Sequence, residues 1–217
     1  MVNSNFQSCV GILLALSFLS CTVDDIVVPD NERVVPEEYL PFTEEGKVWV
    51  YAGEKVNSII PTELYRYLIK GDTVLSGKQY KKMYVLKSTK GTEGQYRYIG
   101  AVRDTLMKVL FIDSSKRNER LIYDFGLQDG NQMRWCGYTL MAGDAYQKVV
   151  HGSTRRVLPV CSSNHAFNDT WIEGIGCASG GWYTSFDPIL KRKSVLMKCN
   201  YSEGCCYDYE TDNELYE

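Results

Sequence analysis

The sequence has no excess of charge of one sign, few histidines and no apolar run that could cross a bilayer. Its 217 residues contain 24 Lys and Arg against 27 Asp and Glu, for a net charge of −3. Without a basic excess the chain lacks the attraction that binds nucleic acid, so no nucleic-acid partner is expected. The apolar run at 10–19 is about half as long as the roughly 20 residues that a membrane-spanning helix needs.

The common cofactor and catalytic motifs are also missing. There is no P-loop and no G-x-G-x-x-G, which removes the usual nucleotide-binding interpretations. There is no G-x-S-x-G, so His151 and His165 are expected to be loop residues rather than members of a catalytic triad. No C-x-x-C pair accompanies these two histidines, and zinc is the weaker explanation of the cysteines. We expect no cofactor and no metal ion.

Tyrosine, by contrast, is abundant, with 16 residues that recur beside Val, Ile, Leu and Thr in short runs bounded by turn formers. The predicted strands are 47–51, 62–70, 73–75, 79–86, 96–103, 107–112, 120–125, 132–140, 146–150, 156–160, 171–175, 195–199 and 206–209. In the second, alternation places Tyr65, Tyr67 and Ile69 on one face. Gly71-Asp72 and Ser76-Gly77 read as turns. The pattern predicts an all-β fold with little helix, an antiparallel meander that forms a sandwich or a strongly curled sheet.

The start of the chain indicates export. The apolar run at 10–19 is followed by Ser20 and Cys21, an order that resembles the lipobox of bacterial lipoproteins, in which the cysteine is diacylated and becomes the mature N-terminus. Phe18 and Leu19 are bulkier than is usual there, and residues 2–20 contain no Lys or Arg. A plain secretory signal or a buried strand is the alternative. We expect a signal peptide at 1–20 and a lipid anchor at Cys21, which places the protein in the cell envelope as an outer-membrane lipoprotein.

Residues 21–40 read as an acidic, flexible tether ahead of a single β-rich domain at 41–217. They contain six acidic residues against the single Arg33, and Pro29 and Pro36 oppose regular structure. An acidic stretch behind the lipidated cysteine resembles the signal that sends some lipoproteins of gut-dwelling Gram-negative anaerobes to the cell surface. A solvated spacer is the alternative, so surface and periplasmic locations both remain open.

Cysteines other than Cys9 and Cys21 are confined to the last 82 residues. The disulfide candidates are Cys136, Cys161, Cys177, Cys199, Cys205 and Cys206. In an exported chain they predict up to three disulfides, with the pairing undetermined. The neighbours Cys205 and Cys206 are expected to reach different partners.

Glu173 is the single candidate for a catalytic acid. It lies among the aromatic and glycine residues of Trp-Ile-Glu-Gly-Ile-Gly at 171–176, a setting that suits a sugar ring. The alternative is a solvated acid on a strand face. The basic clusters Arg155-Arg156 and 191–193 read as exposed loops that could contact anionic glycans or lipid headgroups.

Several segments carry a family resemblance. They are 71–74, 77–82, 98–103, 121–125 with Gly130, 171–176 and 196–199. In this order they resemble the landmarks of small, uncharacterised exported or lipid-anchored β-rich proteins of gut-dwelling Gram-negative anaerobes, over residues 45–210. The resemblance implies an exported, strand-dominated body and implies no known activity. Cys177 stands where the family has a small hydroxylated residue, and the Cys205-Cys206 pair is a departure.

These observations predict an envelope protein, held to the membrane by its N-terminal lipid, with a non-catalytic binding or structural role. Exposed tyrosine and tryptophan side chains would contact a glycan or a protein ligand. The alternative is a surface hydrolase that acts on polysaccharide or peptide, with Glu173 as its acid. A concave pocket lined by two or more acids would favour the hydrolase.

Overall fold

The computed structural model describes residues 33–53, 63–89, 94–115, 118–135, 138–163, 168–178, 194–201 and 204–208. Every regular element in these ranges is a strand, which confirms the predicted all-β class. The strands are β1 (Val48–Gly53), β2 (Glu63–Leu75), β3 (Lys78–Thr89), β4 (Arg97–Thr105), β5 (Lys108–Asp113), β6 (Glu119–Asp124), β7 (Gln132–Trp135), β8 (Tyr138–Ala142), β9 (Tyr146–Val150), β10 (Ser153–Ser162), β11 (Asn168–Ile172), β12 (Gly176–Cys177), β13 (Ser194–Tyr201) and β14 (Gly204–Asp208).

The strands form two antiparallel sheets, one of them strongly curled into a half-barrel. Sheet A has eight strands in the order β14-β13-β1-β2-β3-β4-β5-β6. Sheet B has the order β12-β11-β10-β8-β7, and β9 pairs with the first half of β10. From β1 to β6 each strand pairs with the next in sequence, which is the predicted meander.

One predicted turn is wrong and its neighbour is confirmed. Chain reversal occurs at Ser76-Gly77, where both residues have positive φ, as a tight hairpin turn requires. At Gly71-Asp72, however, β2 continues, and the register against β3 shifts between Ile69 and Asp72. Lys70 and Gly71 stand opposite the single Lys82 and form a β-bulge, which uses the positive φ of Gly71 without reversing the chain.

Two further strand predictions are wrong in their bounds. The segment predicted as one strand at 132–140 is the hairpin of β7 and β8, in which Trp135 pairs with Tyr138. The strand predicted at 171–175 ends at Ile172, because residues 173–175 turn and Gly174 adopts a φ of 71°. Glu173 is therefore a turn residue and not part of a strand face.

Aromatic side chains join the two sheets. Tyr123 of β6 meets Trp171 of β11 edge-on at a ring separation of 5.1 Å, and Phe42 packs against Tyr123 at 5.5 Å. Polar atoms of Tyr123 and of Trp49 in β1 form hydrogen bonds with the backbone of residues 175–177, at the start of β12. The Cys177 N–H donates to the Tyr123 hydroxyl at 3.2 Å, and Trp49 Nε1 donates to the Ile175 carbonyl at 2.7 Å. Large buried rings whose polar atoms are paired thus connect the two sheets.

The predicted inward face of β2 is confirmed. Ile69 is fully buried, and Tyr65 and Tyr67 are half-buried against the same core. Tyr67 meets the buried Tyr51 edge-on at 5.8 Å.

The predicted signal peptide, Cys21 and residues 22–32 lie outside the described residues. Among the residues that are described, no helix is long and apolar enough to cross a membrane.

Loss of the Tyr123 hydroxyl should destabilise the fold. In Tyr123→Phe the buried Cys177 N–H loses its acceptor, and an unsatisfied buried donor costs about 1–3 kcal/mol. The matched control is Tyr98→Phe, because Tyr98 is 40% exposed. Urea unfolding of Tyr123→Phe should show a lower free energy of unfolding than that of the wild type, with an unchanged m-value. The free energy of unfolding of Tyr98→Phe should stay close to that of the wild type. Equal stability of the two variants would contradict the inter-sheet bond.

Candidate functional site

Residues 33–40, here called the strap, lie against the body of the protein. Arg33 forms a two-pronged ion pair with Asp124, in which Nη2 and Oδ2 are 3.1 Å apart, and both side chains are less than a tenth exposed. The Tyr39 hydroxyl donates to Asp104 at 2.9 Å, and the Leu40 N–H donates to Glu173 Oε1 at 2.9 Å. The strap consists of the last eight residues of the stretch predicted as a tether. Its one basic residue finds its partner 91 positions away, which local composition does not show.

A cavity of about 640 Å³, here called the strap cavity, lies between the strap and the body. Its size falls in the range of small-molecule sites. The strap supplies five lining residues, Arg33, Val34, Pro36, Glu38 and Tyr39. The polar wall of the body consists of Gln128, Gln147, Thr154, Arg156 and Glu173, with Met107 as its apolar side chain.

Glu173, predicted from sequence as the candidate acid, lines this cavity. Its backbone is held by the adjacent strand β10, since its N–H donates to the Arg156 carbonyl at 2.9 Å and its carbonyl accepts from Arg155 Nη1 at 2.9 Å. Its side chain is 6% exposed, and within the described chain its carboxylate makes one hydrogen bond, to the Leu40 N–H. The carboxyl group is thus fixed in place, with acceptor capacity left over.

The electrostatics of Glu173 follow from its burial. Desolvation raises the pKa of the Glu173 carboxyl above its ordinary value. The hydrogen bond from Leu40 and the charges of Arg155 and Arg156 oppose this rise, and Glu38 adds to it.

Arg156 is a site residue whose predicted place in an exposed loop is wrong. Arg155-Arg156 was predicted to be an exposed loop, but both residues belong to β10, where alternation sends them to opposite faces. Arg155 is buried, whereas Arg156 lines the strap cavity and donates from Nη2 to the Leu127 carbonyl at 2.7 Å. Its Nε is buried and has no hydrogen-bond partner in the described structure. Burial lowers the pKa of Arg156. The predicted strand at 156–160, extended by a few residues, would have revealed this alternation.

The other predicted site residues lie elsewhere. Cys161 is a half-buried thiol, and Cys177 and Cys199 are buried thiols, with Cys177 Sγ 2.7 Å from Asp169 Oδ2. Cys136 and the side chains of Cys205 and Cys206 lie outside the described part of the chain, so the disulfides stay a prediction. His151 occupies the exposed turn between β9 and β10, and His165 and residues 191–193 are not among the described residues. Within the described ranges no three His, Cys, Asp or Glu side chains could hold a metal ion.

A second, smaller cavity of about 380 Å³ lies at the other end of β4 and β5. Tyr65, Tyr67 and Phe111 line it, and Arg97 and Asp113 supply its charges. It contains one carboxylate, whereas the strap cavity has both Glu38 and Glu173. The strap cavity therefore combines the greater volume with the acid that the sequence singled out.

The raised pKa of Glu173 predicts a pH-dependent effect of Glu173→Gln. When the pKa of a carboxyl group is higher in the folded protein than in the unfolded chain, the group destabilises the fold as it loses its proton. The free energy of unfolding therefore falls as pH rises from the pKa of the unfolded chain through the pKa of the folded protein. Gln keeps an acceptor for Leu40 and removes this loss, so the free energy of unfolding of the variant minus that of the wild type should increase between pH 4 and pH 8. Urea unfolding at both pH values measures it. A difference that is constant with pH would show that Glu173 titrates normally.

No protein-family model and no curated protein sequence matches this chain. Among solved structures, a "putative lipoprotein" from Parabacteroides distasonis is similar with a TM-score of 0.37 and 12% sequence identity. The similarity covers 74% of this chain and 97% of the other.

Proposed function

We propose that the protein is a lipid-anchored protein of the cell envelope whose body binds a neutral glycan segment in the strap cavity without turning it over. The observation that carries the binding role is the convergence of buried polar groups on one cavity. Glu173 has unused acceptor capacity there, and the Arg156 guanidinium has N–H groups beyond the one that donates to Leu127. The turn after β11 and strand β10 hold both residues in place. Fixed polar groups in a mostly preformed cavity are typical of ligand sites.

The charges of the cavity favour a neutral ligand. Two guanidinium groups and two carboxyl groups line it. Arg33 is already neutralised by Asp124, which leaves Arg156 facing Glu173 and Glu38. An anion would be repelled by two carboxylates, and a cation would meet the Arg156 guanidinium.

Hydroxyl groups suit this wall better than peptide groups do. A hydroxyl both donates and accepts, so one sugar hydroxyl can accept from Arg156 and donate to Glu173. Thr154, Gln128 and Gln147 add further donors and acceptors, and Met107, Val34 and Pro36 offer apolar contact for the carbon faces of a sugar ring. In a peptide the N–H only donates and the C=O only accepts, so a single peptide group atom cannot bond to Arg156 and Glu173 at once.

Membrane attachment is supported by the order of segments at the start of the chain. The apolar run at 10–19 is followed by Ser20-Cys21 and then by an acidic stretch. Each buried methylene contributes about 0.8 kcal/mol, and two acyl chains give a stable anchor where one is marginal. We infer an outer-membrane lipoprotein that faces either the cell surface or the periplasm, with the strap cavity close to the membrane end of the chain.

A second candidate function is glycoside hydrolysis in the same cavity. Glu38 and Glu173 both line the cavity, which is the pair of acids expected of a hydrolase, and burial raises the pKa of Glu173 in the direction that suits a general acid. Against this, the Glu173 carboxylate also holds the Leu40 N–H, and Glu38 is exposed on the strap. These contacts fit a binding and positioning residue better than a proton donor.

The binding role predicts that Glu173→Gln weakens glycan binding. The probes are neutral hexasaccharides of glucose, xylose and mannose, titrated into the full chain by calorimetry. Hydrogen bonds to a charged group contribute about 1.5–3 kcal/mol against about 0.5–1.5 kcal/mol for neutral ones, so affinity should fall about tenfold. The control is Glu37→Gln, the same change on an exposed strap residue that does not line the cavity.

Preferential binding of oligogalacturonate or of an oligopeptide over all the neutral sugars would contradict the proposed ligand. Cleavage of a hexasaccharide by the wild type that disappears in Glu173→Gln would establish the hydrolase instead.

The anchor predicts that Cys21→Ser releases the protein from the membrane. In cells that lipidate exported proteins, the wild type should partition into the detergent phase and its N-terminal peptide should carry the mass of the acyl chains. The matched control is Cys9→Ser, which should stay membrane-bound because Cys9 precedes the apolar run. Unmodified Cys21 in the membrane-bound wild type would contradict lipid anchoring.

A further inference from the structure

The apolar contact of the strap with the core comes from Tyr39, which is partly buried against it, and the bonds that hold the rest of the strap are polar. Val34 is 85% exposed and Val35 38%, and residues 36–38 are exposed as well. What holds the strap is the Arg33–Asp124 ion pair at one end and, at the other, the bonds of Tyr39 to Asp104 and of Leu40 to Glu173. A segment that buries little apolar surface can open locally while the core stays folded.

The part of the body that contacts Arg33 provides both hydrogen-bond acceptors and space for its guanidinium group. Arg33 Nη1 also donates to the Leu106 carbonyl at 3.3 Å, and Asp124 also accepts the Gly126 N–H at 3.0 Å. A Cβ at Gly126 would lie 2.6 Å from Arg33 Nη1, so a glycine leaves the room that the guanidinium occupies. A larger residue at position 126 would require the end of the Arg33 side chain to shift from this place beside Asp124.

From this geometry we propose that the strap docks reversibly through Arg33 and forms the movable wall of the strap cavity, so that ligand occupancy and strap docking are coupled. The coupling rests on the proposed function, whereas the docking does not. Arg33 is a positioning residue here, because it acts on the cavity through Asp124 and the strap. Coupling is reciprocal: a docked strap completes the ligand site, and a bound ligand holds the strap in place.

Strap docking also sets the length of the tether. When the strap is docked, residues 33–40 are fixed to the body. When it is released, residues 33–40 join the tether, which can lengthen by at most about 26 Å at roughly 3.3 Å per residue. Ligand binding would therefore draw the body toward its anchor.

The test measures amide hydrogen exchange by NMR in the full chain, first without ligand. Arg33→Gln removes the charge, and Gly126→Ala displaces Arg33 while leaving it intact. Both should speed exchange of the Tyr39 and Leu40 amides at least tenfold, with the amides of β10 and β11 unchanged. The matched control is Gly143→Ala, whose Cβ would meet Pro159 at an ordinary 3.6 Å.

The second arm adds the neutral hexasaccharides. They should slow exchange of the strap amides in the wild type and bind at least tenfold more weakly to Arg33→Gln. Unchanged strap exchange in both variants, or faster exchange throughout the domain, would overturn the docking role of Arg33. A sugar that binds the wild type and Arg33→Gln equally would overturn the coupling and leave the proposed function standing. Faster strap exchange in both variants with no sugar bound would support strap docking, overturn the coupling and remove the proposed function.

Discussion

Two buried cations hold the turn on which the site depends. Lys47, just before β1, and Arg155, in β10, are almost completely shielded from water, and they donate to the carbonyls of Gly174 and Glu173 respectively. The Tyr201 hydroxyl accepts from both, and its ring lies 4.5 Å from the Lys47 ammonium. A buried charge costs several kcal/mol unless it is well paired. These bonds are therefore obligatory, and they fix the turn to both sheets at once.

This turn gives Glu173 three simultaneous roles. Its backbone joins β10 to the turn, its carboxylate holds the strap at Leu40, and the same carboxylate lines the cavity. A buried acid with a raised pKa is often taken as a sign of catalysis. Here a structural contact accounts for its burial, and the proposed binding role uses its surplus acceptor capacity.

Short-range signals predicted most of the sheet. The alternation of Tyr65, Tyr67 and Ile69 determined which face of β2 is buried, and Ser76-Gly77 marked its end. Gly71-Asp72 failed as a turn because a glycine with positive φ serves a bulge as well as a reversal, and only pairing with β3 decides between them. The sequence did not predict the hairpin at 132–140, because a run of strand-forming residues can form either one long strand or two short strands that pair with each other.

The sequence by itself determined the all-β class and the position of most strands, and it indicated Glu173 as the candidate acid, because alternation, turn formers and neighbouring residues are properties of short segments. Only the tertiary structure decided that Arg33 pairs with Asp124, that Arg156 faces a cavity and that Glu173 holds the strap. These contacts join residues far apart in the chain. They exist because burial leaves each charge or polar group to find a partner in whichever strand or turn the sheet topology places beside it.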